Sequence, residues 1–398
     1  MLHNSKTFSS RTGDGCYDVA VVGAGPAGCL TVAAAARAGL SVLLLEKKRL
    51  PRDKICGGLI SSRALALLPP GVLPQSAGSP VTAVRVFSPR GRSHLYRSSE
   101  MLGMVVRRAH FDFLLSCYAS ACGAVLVQES PLVELEIRQP GPAPRQSLYR
   151  LQCGGPAPAT YHARCVVGAD GARSRCARLF GLRRQELLRP AGWGHTRTVE
   201  SPPAGEVEAE TVHFFTLPHL GGLGWAFPGE GYVNRGVGAP LKPSRLKREY
   251  RRLFPETTAT AGAAAWPLPF TGPLLKPARG NLLLVGDAAG LVDPFSGEGV
   301  YNALKSALLA GCALKTAFAE KQAAGPLYQR LFRAHFGRGF FPALAGAALL
   351  HARCLLNPAG MPRSIAAIML NRHWFKRDLG PAILKEHLYR EEGVKTWS

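Results

Sequence analysis

The sequence predicts an α/β protein, α+β overall. A parallel sheet between helices is joined to an antiparallel-sheet domain and a helical C-terminal segment. Three observations carry this. A valine-rich strand runs into a glycine turn and an alanine-rich helix near the N-terminus. Two more apolar strands, each followed by a glycine turn, lie far along the chain. Between them come stretches rich in Thr, Val and aromatics, broken often by Gly and Pro. The 398 residues suffice for two or three domains. At 46% hydrophobic and 19% charged, the chain folds rather than staying disordered.

The first element is the run Tyr17–Val22, read as a buried strand, followed by Gly23-Ala24-Gly25-Pro26-Ala27-Gly28. A helix to Ala38 follows, closed by Gly39, and then a strand over Ser41–Glu46 that ends on an acid. Gly23 allows the tight turn, Gly25 lets backbone approach a pyrophosphate, and Gly28 lets helix pack on strand. Unpaired N–H groups and the helix dipole then favour phosphate at the helix start. Glu46 is placed to accept hydrogen bonds from an adenosine ribose. Strand, glycines, helix and acid together predict a Rossmann-like dinucleotide fold. This motif alone does not choose between NAD and FAD.

Two later segments make the choice. Cys165-Val-Val-Gly-Ala-Asp170-Gly171 is a strand, a glycine turn and, at Arg173 and Arg175, a basic helix start. These two arginines read equally well as surface residues. Asn281–Val285 is a strand followed by Gly286-Asp287-Ala-Ala-Gly290, then Gly297-Glu298-Gly299 and a long Ala/Leu-rich helix to about Ala319. With the N-terminal unit and Arg108-Ala-His-Phe111-Asp112 ahead of them, the set resembles the p-hydroxybenzoate-hydroxylase-fold flavoproteins over roughly residues 17 to 320. The resemblance implies FAD as cofactor, with its pyrophosphate on Gly23, Gly25, Ala27 and Gly28. It places Arg108 and Asp170 near the flavin and the ribityl chain on Asp287. Independently, a helix beginning near Gly297 and Gly299 aims its N–H groups at the flavin pyrimidine edge, where reduced flavin carries negative charge.

Three details narrow the branch. Aromatic hydroxylases of this fold usually carry His where Gly290 stands, whereas the form found here resembles the geranylgeranyl reductase family. Lys54-Ile-Cys56-Gly57-Gly58 resembles a segment of those reductases. It implies a cysteine over the flavin, although an inert thiol on a glycine loop fits the residues too. Gly224-Trp225-Ala-Phe227-Pro228 opens a hairpin that turns at Gly229–Gly231 and returns over Tyr232–Gly238. Its resemblance to that family's substrate-binding sheet implies substrate contacts for Trp225, Phe227 and Pro228. Alternation puts Trp225 and Phe227 on one face, as an apolar slot or as ordinary sheet core. Electron-transfer-flavoprotein dehydrogenases share the Gly-Asp-Ala-Ala-Gly form but need an iron–sulfur cluster, which the cysteine spacing here does not supply.

The expected layout is an FAD-binding domain over 17–70, 100–180 and 276–325, with Pro140–Pro144 at a hairpin tip. A substrate domain covers 71–99 and 181–275, and a helical segment 326–398. In that last segment Phe332, Phe336, Phe340 and Phe341 sit among arginines. It either caps the cavity, lies on an anionic membrane or packs as an appendage. The apolar stretch Phe340–Leu356 contains His351 and Arg353 and is short for a spanning helix.

The formal net charge of +23 favours anionic partners, or reflects an arginine-rich solvated surface. No zinc-finger spacing, aromatic RNA-binding signature or basic recognition helix accompanies it, so nucleic acid is not an expected partner. Ten cysteines without a CxxC pair suit neither a metal site nor a disulfide scaffold. With a polar start to the chain, a cytoplasmic protein is expected, with peripheral membrane contact left open. The implied chemistry is reduction of polyprenyl double bonds, with Cys56 or water as proton source and NADPH, NADH or ferredoxin as electron donor. The alternative is a flavin monooxygenase acting on an aromatic or quinone-like substrate. A non-catalytic basic binding module is the third reading, against which the three flavin motifs stand.

Overall fold

The structure, a computed structural model, describes residues 15–336 apart from 75–76, 90, 183–191, 203–206, 218–220, 256–263, 270–275 and 294–296. The chain opens with β1 (Cys16–Val22), α1 (Pro26–Arg37) and β2 (Val42–Leu45), the strand–turn–helix–strand unit that the valines and glycines predict. There follow β3 (Leu59–Ser61), α2 (Ser62–Leu65), β4 (Gly78–Val81), β5 (Ala83–Phe87), β6 (Ser93–Arg97) and β7 (Gly103–Val106). Next are α3 (Arg108–Ala121), β8 (Val125–Val127), β9 (Leu132–Gln139), β10 (Leu148–Cys153), β11 (Ala159–Gly168) and α4 (Arg175–Leu179). The second half carries β12 (Gly192–Glu200), β13 (Thr211–Leu217), β14 (Gly222–Gly229), β15 (Tyr232–Ala239), α5 (Pro243–Leu253) and β16 (Ala264–Leu268). It then returns through β17 (Ala278–Arg279), β18 (Leu282–Leu284) and α6 (Val300–Glu320). A last described helix, α7, covers 324–336.

One sheet has the order β17-β18-β11-β1-β2-β8, parallel from β18 to β8, with the β9–β10 hairpin antiparallel to the first half of β11. Its middle strands are covered on both faces, which is why Val19–Val22 and Leu43–Leu45 read as unbroken apolar runs. α1 packs against α3 and α6. α6 is buried nearly all round, so its Ala/Leu composition shows no polar stripe. Tyr328, Phe332 and Phe336 of α7 belong to this same core. The described start of the C-terminal segment is therefore packed on the body, and those two phenylalanines are not available to a membrane. Phe340–Leu356 lies outside the described residues. Among the described residues no helix is long and apolar enough to cross a membrane.

The second sheet runs β16-β12-β15-β14-β13-β5-β6, antiparallel except where β5 lies parallel to β13. One of its faces packs Phe214, Phe227 and Tyr232 with Val81 and Val105. Ala226, Val233 and Val237 of the other face lie under Leu246 and Tyr250 of α5. A small sheet, β3-β7-β4, joins residues from both sides of the boundaries drawn at 70/71 and 99/100. It stands where the two large sheets meet.

Candidate active site

A cavity of about 1390 Å³ runs from the β1–α1 turn to the β14–β15 hairpin. The two large sheets wall it on opposite sides. Nine Lys and Arg side chains against six Asp and Glu line it. Glu46, Asp170, Glu200 and Glu298 are already tied to partners within the chain. The balance left over favours an anionic ligand.

At one end Gly23 has φ +109, and a Cβ there would lie 2.5 Å from the Ala169 carbonyl oxygen of the next strand's turn. Only glycine makes this turn without strain. Gly25 is different: a Cβ there would meet nothing nearer than Arg52 Nη2 at 4.0 Å, so its open side faces the cavity. Gly28 does not line the cavity. A Cβ on it would sit 1.8 Å from Gly23 O, so its part is close packing of helix on turn rather than ligand contact. α1 begins on Gly25 with no side-chain cap and no acid in its first turn. α6 begins on Gly299 in the same way. Gly297, Gly299 and Val300 line the cavity, so the starts of two helices, both on glycine, open on one space.

Glu46 is buried and fully engaged. Its Oε2 accepts from Ala24 N at 3.0 Å and from Arg52 Nη2 at 3.2 Å, and Oε1 accepts from Lys48 N at 3.1 Å. Arg52 reaches on to Asp112 Oδ2 at 3.0 Å. Asp112, wholly buried, holds Arg108 through two bonds of 2.9 and 3.0 Å. Arg108 lies in turn beside the Cys56 thiol, near enough for the two to interact electrostatically. The four charges of this chain compensate one another, which is what makes their burial tolerable.

In the middle of the cavity Asp287 stands at the start of the turn after β18, beside Gly299. Lys54 lies with its Nζ 3.9 Å over the Trp266 ring. Loss of hydration pulls its ammonium down to about 8, although Asp287 opposes the shift. Burial pushes the Glu298 carboxyl up, against the pull of Arg63, and Glu298 also accepts from Ser61. Asp170 borders the cavity, but both its oxygens serve the chain. They accept from Ser174 Oγ at 2.6 Å, Arg175 N at 2.6 Å and Cys176 N at 3.0 Å. It therefore fixes the start of α4 from a place on the cavity wall.

At the far end Trp225 and Phe227 stack at a centroid distance of 6.1 Å and both face the cavity, as alternation predicts. Pro228 does not line it. Strand alternation turns Pro228 the way of Ala226, toward the opposite face. The indole lies against Gly236, where a Cβ would fall 2.1 Å from Cζ2. The Cys56 loop presses on the same pair: a Cβ on Gly57 would come 2.9 Å from Phe227 Cε2 and 3.1 Å from Trp225 Nε1. Asn234 ties the two together. Its Oδ1 accepts from Trp225 Nε1 at 2.9 Å and Thr196 Oγ1 at 2.8 Å, and its Nδ2 donates to the Cys56 carbonyl at 3.2 Å.

Sequence reasoning passed over Asn234, Arg52, Lys54, Asp112 and Trp266. Lys54 and Asp112 sit inside motifs that had been quoted for their neighbours. Asn234 had one signal, a polar side chain on the strand position directly opposite Phe227.

The family model described as "FAD binding domain" matches residues 16–258. The chain is 32% identical over 319 residues to digeranylgeranylglycerophospholipid reductase 2 of Methanothermobacter thermautotrophicus, covering 74% of this chain and 77% of that protein. It is 30% identical over 382 residues to menaquinone reductase of Mycolicibacterium smegmatis, covering 86% and 87%. Among solved structures, a geranylgeranyl bacteriochlorophyll reductase-like protein of Thermoplasma acidophilum superposes with a TM-score of 0.75 at 20% identity, covering 95% of this chain and 98% of that one.

Proposed function

We propose, from the premise that this chain belongs to the geranylgeranyl reductase family of FAD-dependent oxidoreductases, that it saturates carbon–carbon double bonds of a polyprenyl substrate. One observation carries the reading. The Cys56 loop is seated on the Trp225–Phe227 pair, inside a cavity continuous with the dinucleotide turn.

FAD, bound and reduced, supplies the hydride for one alkene carbon. The open side of Gly25, with Gly23 and Ala27 around it, and the start of α1 receive its pyrophosphate. Glu46 takes the adenosine ribose, Arg108 and Asp287 hold the middle of the cofactor, and Gly297 and Gly299 bring the α6 dipole to the flavin edge. Trp225 and Phe227 wall the apolar slot and exclude water from it. Cys56 Sγ holds the proton that the second alkene carbon takes. Basic side chains of the cavity wall bind the polar head of the substrate. NADPH, NADH or a ferredoxin brings the two electrons.

The test is to purify the chain with its flavin, reduce it with dithionite, add geranylgeranyl diphosphate and weigh the product by mass spectrometry. A gain of hydrogen pairs is expected. A gain of oxygen on this or a quinone-like substrate overturns the reading in favour of a monooxygenase. Bound, reducible flavin with no product from diphosphate, phospholipid or quinone-linked prenyl chains overturns the substrate class.

A further inference from the structure

We infer that Arg52 and Asp112 are positioning residues that couple nucleotide binding at the β1–α1 turn to the state of the Cys56 thiol. The two places are ends of one buried chain of charges. At the first, the Glu46 carboxylate is shared between Ala24 N, at 3.0 Å, and the Arg52 guanidinium, at 3.2 Å. Arg52 also donates to Ala24 O at 3.3 Å, so it touches the glycine turn twice. Its remaining nitrogen meets Asp112 Oδ2 at 3.0 Å, on the very oxygen that Arg108 Nη2 also uses at 3.0 Å. Arg108 and Cys56 then lie side by side on the cavity wall, near enough to interact electrostatically.

Each link in this chain is divided between two neighbours, and its two acids are shielded from bulk water: Glu46 is 2% and Asp112 0% exposed. A ligand that draws on Glu46 therefore loosens its hold on Arg52. Arg52 leans further on Asp112, and the competition for Asp112 Oδ2 changes how firmly Arg108 is held beside Cys56. Buried charges transmit such changes because solvent does not screen them. Arg52 also lies in the same loop as Cys56, so the side-chain route runs parallel to a short stretch of backbone. The two are told apart by cutting the side-chain route alone.

The inference deepens the reading of Cys56 given above and needs no prenyl substrate, so its failure and the failure of that reading are distinguishable. The probe is ADP on the full-length chain stripped of flavin, since ADP supplies the adenosine and pyrophosphate but has no ring to shield Cys56. The readout is the alkylation rate of Cys56, followed by peptide mass spectrometry so that the other cysteines do not interfere. In the wild type, saturating ADP is expected to change that rate by about fivefold or more, the lower end of ordinary coupling between sites. Coupling of the two places should also show in the reverse direction, as a shift in ADP affinity once Cys56 is alkylated. In Asp112→Asn, which keeps the volume and gives up the charge, ADP still binds and the rate responds less than about twofold. Arg52→Lys, which keeps a charge but loses the fork bridging Glu46 and Asp112, should behave alike and serves if Asp112→Asn does not fold. A wild-type rate indifferent to ADP overturns the inference. So does a full response surviving in either folded variant.

Discussion

Replacing Lys54 by Met should make the flavin-free protein more stable at neutral pH, and the gain should vanish as the pH rises. Lys54 projects from a glycine-rich loop into the cavity, and loss of hydration lowers its ammonium from 10.5 to about 8. The folded chain thus releases this proton more readily than the unfolded chain does. Below about 8 both states are protonated and the folded state bears the full cost; between about 8 and 10.5 the unfolded state alone holds the proton, so stability rises with pH. The difference corresponds to at most ~3 kcal/mol at pH 7, and less in practice, because Lys54 opens on the cavity and keeps part of its hydration. Against it stands the loss of the ammonium over the Trp266 ring, worth ~1 kcal/mol. A net gain of ~1–2 kcal/mol remains for Lys54→Met at pH 7. Urea unfolding of both proteins from pH 7 to 10 measures it. The difference between the curves carries the signal, since buried thiols such as Cys29 and Cys165, pushed up by burial, cost both proteins stability over the same alkaline range. A difference that stays constant with pH, or a variant less stable at pH 7, would refute the assignment of a desolvated ammonium.

Three further outcomes follow from the glycine turn and the β14–β15 hairpin. Gly25→Val should leave flavin-free melting nearly unchanged, because its side chain enters open space, yet lower the flavin-to-protein absorbance ratio of the purified protein. Gly28→Ala should do the opposite and cost ~1–3 kcal/mol in urea unfolding, since its Cβ meets backbone at 1.8 Å. Asn234→Ala should cost ~1–3 kcal/mol by stripping Trp225 Nε1 of its acceptor, while Thr196 Oγ1 keeps the Arg235 carbonyl. Thermal melts with tryptophan fluorescence would report both the loss and the change around the indole.

Much of the fold was legible because its signals are local. The Tyr17–Glu46 unit has strand, glycine turn, helix and strand in one stretch, and the 222–239 hairpin declares its turn through Gly229 and Gly231. The β3-β7-β4 sheet was not legible. Its strands are three or four residues long, β4 carries Pro80, and partners such as Ile60 and Met104 are far apart in sequence. Nor could alternation reveal that β5 lies parallel to β13, since strand direction leaves no mark on the pattern of one strand. In the site, residue types pointed to many of the positions that line the cavity but not to those already spent on the chain. Asp170 lines the cavity and also anchors the start of α4. Glu46 reads as a free acceptor and is shared with Arg52. Arg52 itself gives no sequence signal, because its partners come from a turn before it and a helix well after it.

The pairing of β11 with β18 bears on how the protein is made. Val166 and Val167 on β11 find Leu282 and Leu283 only after five strands of the second sheet, β12 to β16, have been synthesised between them. At ordinary translation speed that interval is on the order of ten seconds. Throughout it the second half of β11 presents a bare, valine-rich edge, the sort that recruits strands from neighbouring chains. The nascent protein is thus most exposed to aggregation in mid-synthesis, and a chain stopped short of Leu282 keeps that edge permanently. Recombinant yield should respond to slower synthesis and to chaperones that shield strand edges more than to any adjustment of the finished molecule's surface.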